Sequence, residues 1–384
     1  MIEIKDKKDC CGCTACVQAC PKKCISVNED EEGFLYPKAD ANICIGCGLC
    51  EKICPVIHQL DSRKPIEVFA CYNQDEEIRK NSSSGGVFTT LAEQVIEEHG
   101  VVFGASWNDN WEVVHQYTDN KDGLKAFRGS KYVQSRIGSA YAEAETFLKT
   151  GRKVLFSGTP CQIAALKLFL RKEYDNLITV DFICHGTPSP GVFRWYLQEQ
   201  FSKQKITSIP KDLVVPDDIS IRRLSFRDKR LGWKKFSMSF DYASKRGNGS
   251  EIVCHYSEPL NKDPFLRGFL SDLYLRPSCH RCPAKELKSG ADFTIGDFWG
   301  IGKYDQKLDD DKGISALLIN NPKYQHIVVN MQKWRVPYVF YVNRIQLYTA
   351  QVPYQLKGLC FGKRVRRDLL NVLPLFADQQ SQIN

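Results

Sequence analysis

Two cysteine-rich stretches decide how the start of this chain folds: residues 10–21, CCGCTACVQACP, and residues 44–55, CIGCGLCEKICP. Each has four cysteines in the order C-x2-C-x2-C-x3-C followed by proline, and the second stretch repeats the first after 34 positions. This spacing is typical of bacterial domains that hold two 4Fe–4S cubane clusters. Three thiolates on one tight loop reach three corners of a cube, while the fourth points away and binds the neighbouring cluster.

The pattern therefore predicts a crossed set of ligands. The cysteines expected to hold cluster one, here called the cluster-one cysteines, are Cys10, Cys13, Cys16 and Cys54. The cluster-two cysteines are Cys44, Cys47, Cys50 and Cys20. Two structural zinc sites are the alternative, although zinc favours CxxC pairs that are separated by a longer spacer. Cys11 and Cys24 fall outside the pattern, and we interpret them as bystanders.

Composition limits the class of protein. The chain has 384 residues, a formal net charge of +8 and 17 cysteines, ten of which lie in the first 54 residues. It shows no apolar run of about 18 residues and no secretory leader, so a cytoplasmic protein without a membrane span is expected. Cysteines in such a protein indicate metal binding and not disulfides. No nucleic-acid-binding motif accompanies the positive charge, so a nucleic-acid partner is not expected.

The rest of the chain predicts an α/β body with a mixed, mainly parallel sheet. Apolar strand-like runs occur at residues 67–72, 101–106, 153–158, 177–184 and 315–320. Helical periodicity follows in residues 85–100 and 159–172. Strands that alternate with helices favour a parallel sheet with helices on its faces. The two commonest nucleotide-binding fingerprints, GxxxxGK[ST] and GxGxxG, are absent from the sequence.

Several segments of the body are candidates for a binding site. The residues Ser83, Ser84, Gly85 and Gly86 precede a predicted helix, where free N–H groups suit a phosphate or the electron-rich edge of a flavin. A simple serine N-cap explains the same residues equally well. The basic stretch 222–235 suits an acidic redox partner or a phosphate-bearing cofactor, and a solvated loop is the alternative.

Four cysteines outside the N-terminal repeat form the second candidate metal set. Two of them follow predicted strands and two form a CxxC pair; these body cysteines are Cys161, Cys184, Cys279 and Cys282. Ligands of open α/β sheets collect at the carboxyl ends of strands. A third cluster and buried, metal-free thiols are both compatible with this spacing.

Six segments together resemble the family of coenzyme F420 hydrogenase/dehydrogenase beta subunits, in the form with a fused N-terminal dicluster ferredoxin. They are SSSGGVFTTLA (82–92), GSKYVQS (129–135), VLFSGTPCQIAALK (154–167), FICHGTPSP (182–190), SFRDKRLGWKKF (225–236) and CHRCPAKELKSGADFTIGDFWG (279–300). The resemblance implies that the body cysteines hold a third 4Fe–4S cluster beside FAD. It also implies flavin contacts by the 83–86 residues and by Lys131, Gly158, Thr159 and Pro160.

These observations predict four regions. Residues 1–60 form an α+β ferredoxin-like dicluster domain, residues 66–150 and 151–340 form the flavin-binding α/β body, and residues 341–384 form an extension. The expected function is an iron–sulfur flavoprotein oxidoreductase that moves electrons from a ferredoxin-like donor to a two-electron acceptor, F420 or another small molecule. The alternative is a non-catalytic electron-transfer subunit that docks onto a partner enzyme.

Overall fold

The computed structural model describes residues 1–202, 219–245, 251–325 and 334–340. The predicted extension 341–384 lies outside these ranges. The N-terminal module, residues 1–60, contains two short helices and one hairpin: α1 (Ala15–Ala19), β1 (Ile25–Glu29), β2 (Leu35–Ala39) and α2 (Leu49–Lys52). Strands β1 and β2 pair antiparallel and connect the two cysteine-rich stretches.

The two short helices begin in the same way because the sequence repeat extends to the backbone. Thr14 precedes α1 with φ 56°, and its counterpart Gly48 precedes α2 with φ 71°. This left-handed conformation turns the chain sharply after the first two cysteines of each stretch. The third cysteine of each stretch, Cys16 or Cys50, then lies on the helix.

The body is built around an eight-stranded sheet. Its elements in chain order are β3 (Glu67–Asn73), α3 (Glu76–Asn81), α4 (Val87–Glu97), β4 (Val101–Trp107), β5 (Val113–Thr118), α5 (Ala140–Lys149), β6 (Val154–Ser157), α6 (Pro160–Leu170), β7 (Leu177–Phe182), α7 (Pro190–Ser202), β8 (Ile219–Asp228), β9 (Ser237–Lys245), β10 (Glu251–Pro259), α8 (Pro264–Leu270), β11 (Phe293–Asp297), β12 (Ser315–Ile319) and β13 (Trp334–Phe340). The five predicted strands and both predicted helices are all present, with small differences at their ends.

The large sheet has the order β13-β3-β12-β11-β7-β6-β4-β5. Its centre, β11-β7-β6-β4, is parallel, and the strands on both flanks pair antiparallel. Strand β3 nevertheless runs in the direction of the parallel centre, because β12 reverses the chain between them. The carboxyl ends of β3, β4, β6, β7 and β11 therefore meet at one edge of the sheet, which we call the carboxyl edge.

The N-terminal module shares its hydrophobic core with the body. Cys11, Cys13, Ala15 and Ile53 pack in one buried cluster with side chains of α5, α6, β4 and β6. A separate small core, which includes Ile2, Cys24 and Ile25, lies under the other half of the module. The part of the module around Cys11, Cys13 and Ile53 thus belongs to the body's core, whereas Ile2, Cys24 and Ile25 pack in a core of the module's own.

A second sheet, β10-β9-β8, is antiparallel and was not predicted from the sequence. Together with α7 and α8 it encloses an aromatic core that contains Phe193, Phe226, Phe240 and Phe265. The predicted basic loop at residues 222–235 includes the end of β8, so the solvated-loop interpretation is wrong for that part. Among the described residues, no helix has both the length and the apolar character needed to cross a bilayer.

Candidate functional site

The cluster-one cysteines lie together at the buried side of the N-terminal module. Cys10, Cys13 and Cys16 are each at most 9% exposed. The fourth cysteine of the second stretch, Cys54, lies within electrostatic range of Cys10 and Cys16. Burial, and next the neighbouring sulfurs of Cys10, Cys54 and Cys50, raises the pKa of Cys16 to about 12. The crossed ligand set predicted from the spacing is therefore geometrically available.

The cluster-two cysteines line one cleft at the outer end of the module. The cleft is bordered by Cys20, Cys44, Cys47 and Cys50 together with Met1, Lys22 and Ile45. Cys47 is exposed, unlike its counterpart Cys13 in the first stretch. Cys24, interpreted above as a bystander, also lines this cleft, and its Sγ lies 3.4 Å from Sγ of Cys20.

The body cysteines are brought together at the carboxyl edge of the sheet. Cys161 lies in the first turn of α6 directly after β6, and Cys184 follows β7. Burial, and next the sulfurs of Cys279, Cys161 and Cys282, raises the pKa of the Cys184 thiol well above its usual value. The other three thiols therefore lie within electrostatic range of Cys184, although more than 120 residues separate the first body cysteine from the last.

The donor set suits a cluster better than a single ion. Within the described ranges, no three Cys, His, Asp or Glu side chains are arranged to hold one metal ion. A cubane distributes four thiolates over its corners and does not require them to converge on one point. The backbone N–H of Thr187 lies 3.3 Å from Sγ of Cys279, the kind of donor that stabilises a thiolate ligand.

The N-terminal module and the body meet between cluster one and the body cysteines. The Cys11 thiol contacts the thiols of both Cys13 and Cys161. The backbone of this loop is held by two body side chains, because Gln134 donates to the Cys11 carbonyl at 3.2 Å and Arg276 donates to the Cys10 carbonyl at 2.7 Å. We call this contact, formed by residues 10–13 with Gln134, Cys161 and Arg276, the module–body junction. Cys11 therefore lies in the junction, although it is outside the predicted ligand pattern.

The loop that precedes α4 is fixed by its neighbours and not by helix capping. None of its serines caps α4. Ser83 accepts hydrogen bonds from the backbone and hydroxyl of Ser130 at 2.6 and 2.8 Å, and Ser84 donates to the Ile314 carbonyl at 2.8 Å. Gly86 has φ +83°. The serine N-cap interpretation is thus wrong, and the loop is held at the carboxyl edge by its neighbours.

Gly85 is required by packing. A Cβ at this position would lie 2.6 Å from the carbonyl oxygen of Cys71 in β3. The backbone of Ser315 in β12 is also close, since its N atom would lie 2.9 Å from the same Cβ. The role of Gly85 in the site is therefore to let the loop lie flat against the sheet.

Lys131 and the turn after β6 both lie near His115. Lys131 donates to the carbonyls of Arg128 and Gly129, and burial lowers its pKa to about 7. His115 contacts the Ser157 carbonyl at 3.0 Å, next to Gly158, and burial lowers its pKa to about 4. The imidazole is consequently neutral near pH 7.

The turn after β6 leads directly to a body cysteine. Thr159 forms a capping box with Gln162 at the start of α6, where Pro160 is the first residue, and its Oγ1 lies 3.2 Å from Sγ of Cys161. The predicted cofactor residues 158–160 therefore adjoin both the body cysteines and, through His115, Lys131.

Arg227 was missed by sequence reasoning as a separate site residue. It forms a salt bridge of 2.5 Å with Asp297 at the end of β11, and its side chain is 5% exposed. Tyr132 lies close enough to interact with the guanidinium, yet Nε and Nη2 have no hydrogen-bond partner of good geometry. Trp233 donates to Asp297, and its ring stacks on the half-exposed Trp299 at 4.3 Å. A position within a run of basic residues gave no signal that this arginine is buried.

Lys229 connects Arg227's strand to the loop before α4. Its Nζ donates to the carbonyls of Arg79, Ser84 and Lys312, each at 2.8 Å. Burial, and next the charges of Arg227 and Arg79, lowers the pKa of Lys229 to about 7. The carboxyl edge therefore carries several basic side chains around the loop before α4.

Comparison with known families agrees with this arrangement. Residues 9–57 match a 4Fe–4S dicluster domain. Residues 68–141 match the N-terminal region of the coenzyme F420 hydrogenase/dehydrogenase beta subunit, and residues 151–336 match its C-terminal region. These two regions together span more than half of the chain.

Individual relatives are more distant. The chain is 26% identical over 187 residues to one of the subunits of the F420H2 dehydrogenase of Methanosarcina mazei, covering 46% of this chain and 53% of that protein. It is 27% identical over 204 residues to an uncharacterised protein of Methanocaldococcus jannaschii, covering 46% of this chain and 56% of that protein. The matched region thus spans about half the length of these curated relatives.

Two further comparisons concern the N-terminal module and most of the chain. A 7Fe ferredoxin of Hydrogenibacillus schlegelii is 43% identical over 42 residues, which are 11% of this chain and 47% of that protein. A chain of the F420-reducing NiFe hydrogenase complex from Methanosarcina barkeri is 16% identical with a TM-score of 0.44, covering 81% of this chain and 89% of that chain. On the family matches, this chain belongs to the family of coenzyme F420 hydrogenase/dehydrogenase beta subunits, with a 4Fe–4S dicluster domain at its N-terminal end.

Proposed function

We propose that this chain is an iron–sulfur flavoprotein oxidoreductase that receives electrons from a ferredoxin-like protein and delivers them in pairs to a small-molecule acceptor. The observation that carries this proposal is the placement of the body cysteines. One of them, Cys161, contacts Cys11 at the module–body junction and also adjoins the predicted cofactor turn 158–160, so three metal centres and one flavin would be neighbours. A chain of one-electron centres that ends at a two-electron carrier is suited to this conversion.

The proposed ligands follow from the geometry and the spacing. The cluster-one cysteines, the cluster-two cysteines and the body cysteines would each hold one 4Fe–4S cluster. Cluster two would be the entry point, because Cys47 is exposed and the exposed Lys22 lines the same cleft. Cluster one would pass electrons inward, because Cys11 contacts Cys161 at the junction.

The flavin, proposed to be FAD, would lie at the carboxyl edge against the loop before α4, Lys131 and the turn 158–160. Two unpartnered N–H groups of the buried Arg227 support a polar ligand here, because a buried donor without a partner carries a cost. When bound, a flavin gathers single electrons and transfers a hydride. Lys131 and Arg227 would stabilise the negative charge that builds up on the reduced ring, and neutral His115 would add none.

Trp299 offers a surface on which the acceptor would bind. Its ring is 51% exposed, is stacked on Trp233 and lies over the guanidinium of Arg227 at 5.6 Å. A flat exposed ring beside a cation suits a planar, anionic acceptor. The names of the relatives make F420 the first acceptor to test.

The alternative is an electron-transfer subunit that docks onto a partner enzyme without a flavin of its own. Anaerobic purification with iron, sulfide and flavin quantified separates the two functions, followed by reoxidation of the reduced protein with F420 and other acceptors. The proposal predicts about one flavin per chain and reoxidation by a two-electron acceptor. Absence of flavin from a protein that retains its iron would support the docking subunit instead.

Lys131→Met is the sharpest variant for the flavin site, because the change keeps most of the length of the side chain and removes its ammonium group. Weaker flavin retention is expected, measured as flavin per iron after gel filtration. Lys121→Met is the matched control, since Lys121 is exposed and pairs with Glu97 at the surface. Equal flavin retention in both variants would remove Lys131 from the site.

A further inference from the structure

Arg276 is the most buried arginine of the described chain, with 1% of its surface exposed. It belongs to the turn that carries Cys279, whose backbone N–H donates to the Arg276 carbonyl at 2.8 Å. Its guanidinium reaches into the N-terminal module, where Nη2 lies 3.6 Å from Sγ of Cys10 and 2.9 Å from the Leu35 carbonyl. One side chain thus connects a body cysteine to a cluster-one cysteine.

Among the buried arginines that the structure describes, Arg276 alone has no carboxylate partner. Arg79, Arg194 and Arg227 each pair with a carboxylate, from Asp310, Glu29 and Asp297 respectively. Within the ranges that the structure describes, no Asp or Glu forms an ion pair with Arg276. Burial of an unpaired cation is strongly unfavourable unless another negative charge compensates it.

The remaining contacts of Arg276 are neutral. Nη1 donates to the side-chain oxygen of Gln134 at 2.8 Å, Nε donates to the Cys10 carbonyl, and the guanidinium lies over the ring of Tyr36 at 4.3 Å. These contacts fix the position of the guanidinium but contribute no full negative charge. The groups near the guanidinium that can carry a negative charge are cysteine sulfurs. Sγ of Cys10 is in contact with Nη2, and Cys161 lies within electrostatic range.

We propose that Arg276 is a charge-compensating residue of the module–body junction, which raises the reduction potential of cluster one relative to cluster two. This inference rests on the proposed function. Reduction of a 4Fe–4S cluster adds one electron and therefore one negative charge, while its ligands stay bound. A fixed cation beside Cys10 favours the reduced form, since potentials respond to nearby charge and burial. The electron would then move from the exposed cluster towards the body.

Cluster two has a different electrostatic environment. The charged groups that line its cleft are the N-terminus at Met1, which is partly exposed and pairs with Glu51 at 3.0 Å, and the exposed side chain of Lys22. An exposed, paired charge in water is screened and contributes little. The repeat therefore places a buried cation beside only one of two clusters that the sequence makes nearly equivalent.

The test measures the midpoint potentials of the individual clusters by EPR-monitored titration of the full-length, iron-loaded protein. Arg276→Gln removes the charge, and Arg276→Lys keeps it. At a fixed potential we expect the ratio of reduced to oxidised cluster one to fall about tenfold in Arg276→Gln, which corresponds to about 59 mV for one electron. Arg276→Lys should keep most of the wild-type ratio, and cluster two should not change in either variant.

Arg194→Gln is the matched control. Arg194 is equally buried and also links the body to the module, through Glu29 in β1, but a carboxylate compensates its charge. Cluster one should keep its wild-type potential in this variant. An unchanged cluster-one potential in iron-loaded Arg276→Gln, or an equal shift in the Lys and Gln variants, would overturn the proposal.

Gln134→Glu tests the same idea without removing the arginine. The new carboxylate would face Nη1 of Arg276 and neutralise its charge, so the cluster-one potential should also fall. If Arg276→Gln does not retain iron, the Gln134→Glu variant provides the test. An unchanged cluster-one potential in Gln134→Glu then contradicts the proposal. Both clusters of the module are measured here, so a protein that lacks flavin or the third cluster would refute the proposed function but not this inference.

Discussion

The two halves of the N-terminal module have almost the same cysteine pattern but opposite surroundings. The cluster-one cysteines of the first stretch are buried, and the loop that carries them shares a core with α5 and α6. The cluster-two half has its own small core, and Cys47 is exposed. The body therefore breaks the symmetry of the repeat, giving one cluster an inner position and the other an outer one.

Two equivalent glycines show this difference most clearly. Gly12 and Gly46 occupy the same position in the repeat, with φ of +70° and +67°. A Cβ added at Gly12 would lie 2.5 Å from Nε2 of Gln134 and 2.6 Å from Nη1 of Arg276, whereas a Cβ at Gly46 would meet nothing within 4 Å. The same local backbone thus faces the module–body junction in one case and open space in the other.

The largest expected effect separates the two clusters by their crossed ligands. Cys20→Ser should damage cluster two, and Cys54→Ser should damage cluster one, although each cysteine follows the other cluster's triplet in the sequence. The expected loss is most of one cubane, about four irons. Mössbauer and EPR spectra of both variants check this. Loss of cluster one in Cys20→Ser would show that the ligands are not crossed.

The second prediction compares Gly12→Ala with Gly46→Ala. Both substitutions carry the strain of a left-handed backbone, about 1–2 kcal/mol. Gly12→Ala adds a steric clash at the junction, which typically costs about 1–3 kcal/mol more. Thermal unfolding of the iron-loaded variants measures the difference. Equal loss of stability in the two variants would mean that the first loop does not pack against the body as described.

The sequence predicted the module and much of the body. It did not predict that the cluster-one cysteines are buried against the body while the cluster-two half is more exposed. The eight module cysteines are close in sequence, so their spacing alone indicates two cubanes. The body cysteines depend on strand ends that meet only in the folded sheet, so spacing left their grouping open. Arg276 and Arg227 gave no signal, because burial of an arginine depends on which distant elements pack against it. The sheet β8–β10 was missed because its basic residues resembled a solvated loop.

The third prediction uses the exposed position of cluster two. Lys22 lines the cleft of the cluster-two cysteines, so Lys22→Glu should slow reduction of the protein by an acidic ferredoxin. Charge steering at an exposed surface typically changes association rates by about tenfold or more at low salt. Stopped-flow measurements at low and high ionic strength check the effect, which should vanish at high salt. Lys121→Glu makes the same charge change on the surface of the body and should leave the rate of reduction unchanged. If both variants slow reduction equally, the ferredoxin does not dock at the cluster-two cleft.

The smallest expected effect concerns Lys131, which is half-buried, whereas Lys22 is exposed. Burial lowers the pKa of Lys131 to about 7 in the folded protein, against about 10.4 in an unfolded chain. Between these values the unfolded state binds more protons, so this group makes the apoprotein more stable as pH rises from about 7 to 10. Chemical unfolding of wild type and Lys131→Met across this range checks it. The variant should lack part of the rise, and identical slopes would show that Lys131 is not desolvated.

The central claim is that the body cysteines hold a third cluster next to the inner half of the module. Iron and sulfide analysis of the full-length protein, purified without oxygen, tests it most directly. Full length is required because Cys11, Cys13 and Ile53 belong to the shared core. We predict about twelve irons per chain, falling to about eight in Cys282→Ser and staying at twelve in Cys254→Ser. About eight irons in all three proteins would contradict the claim.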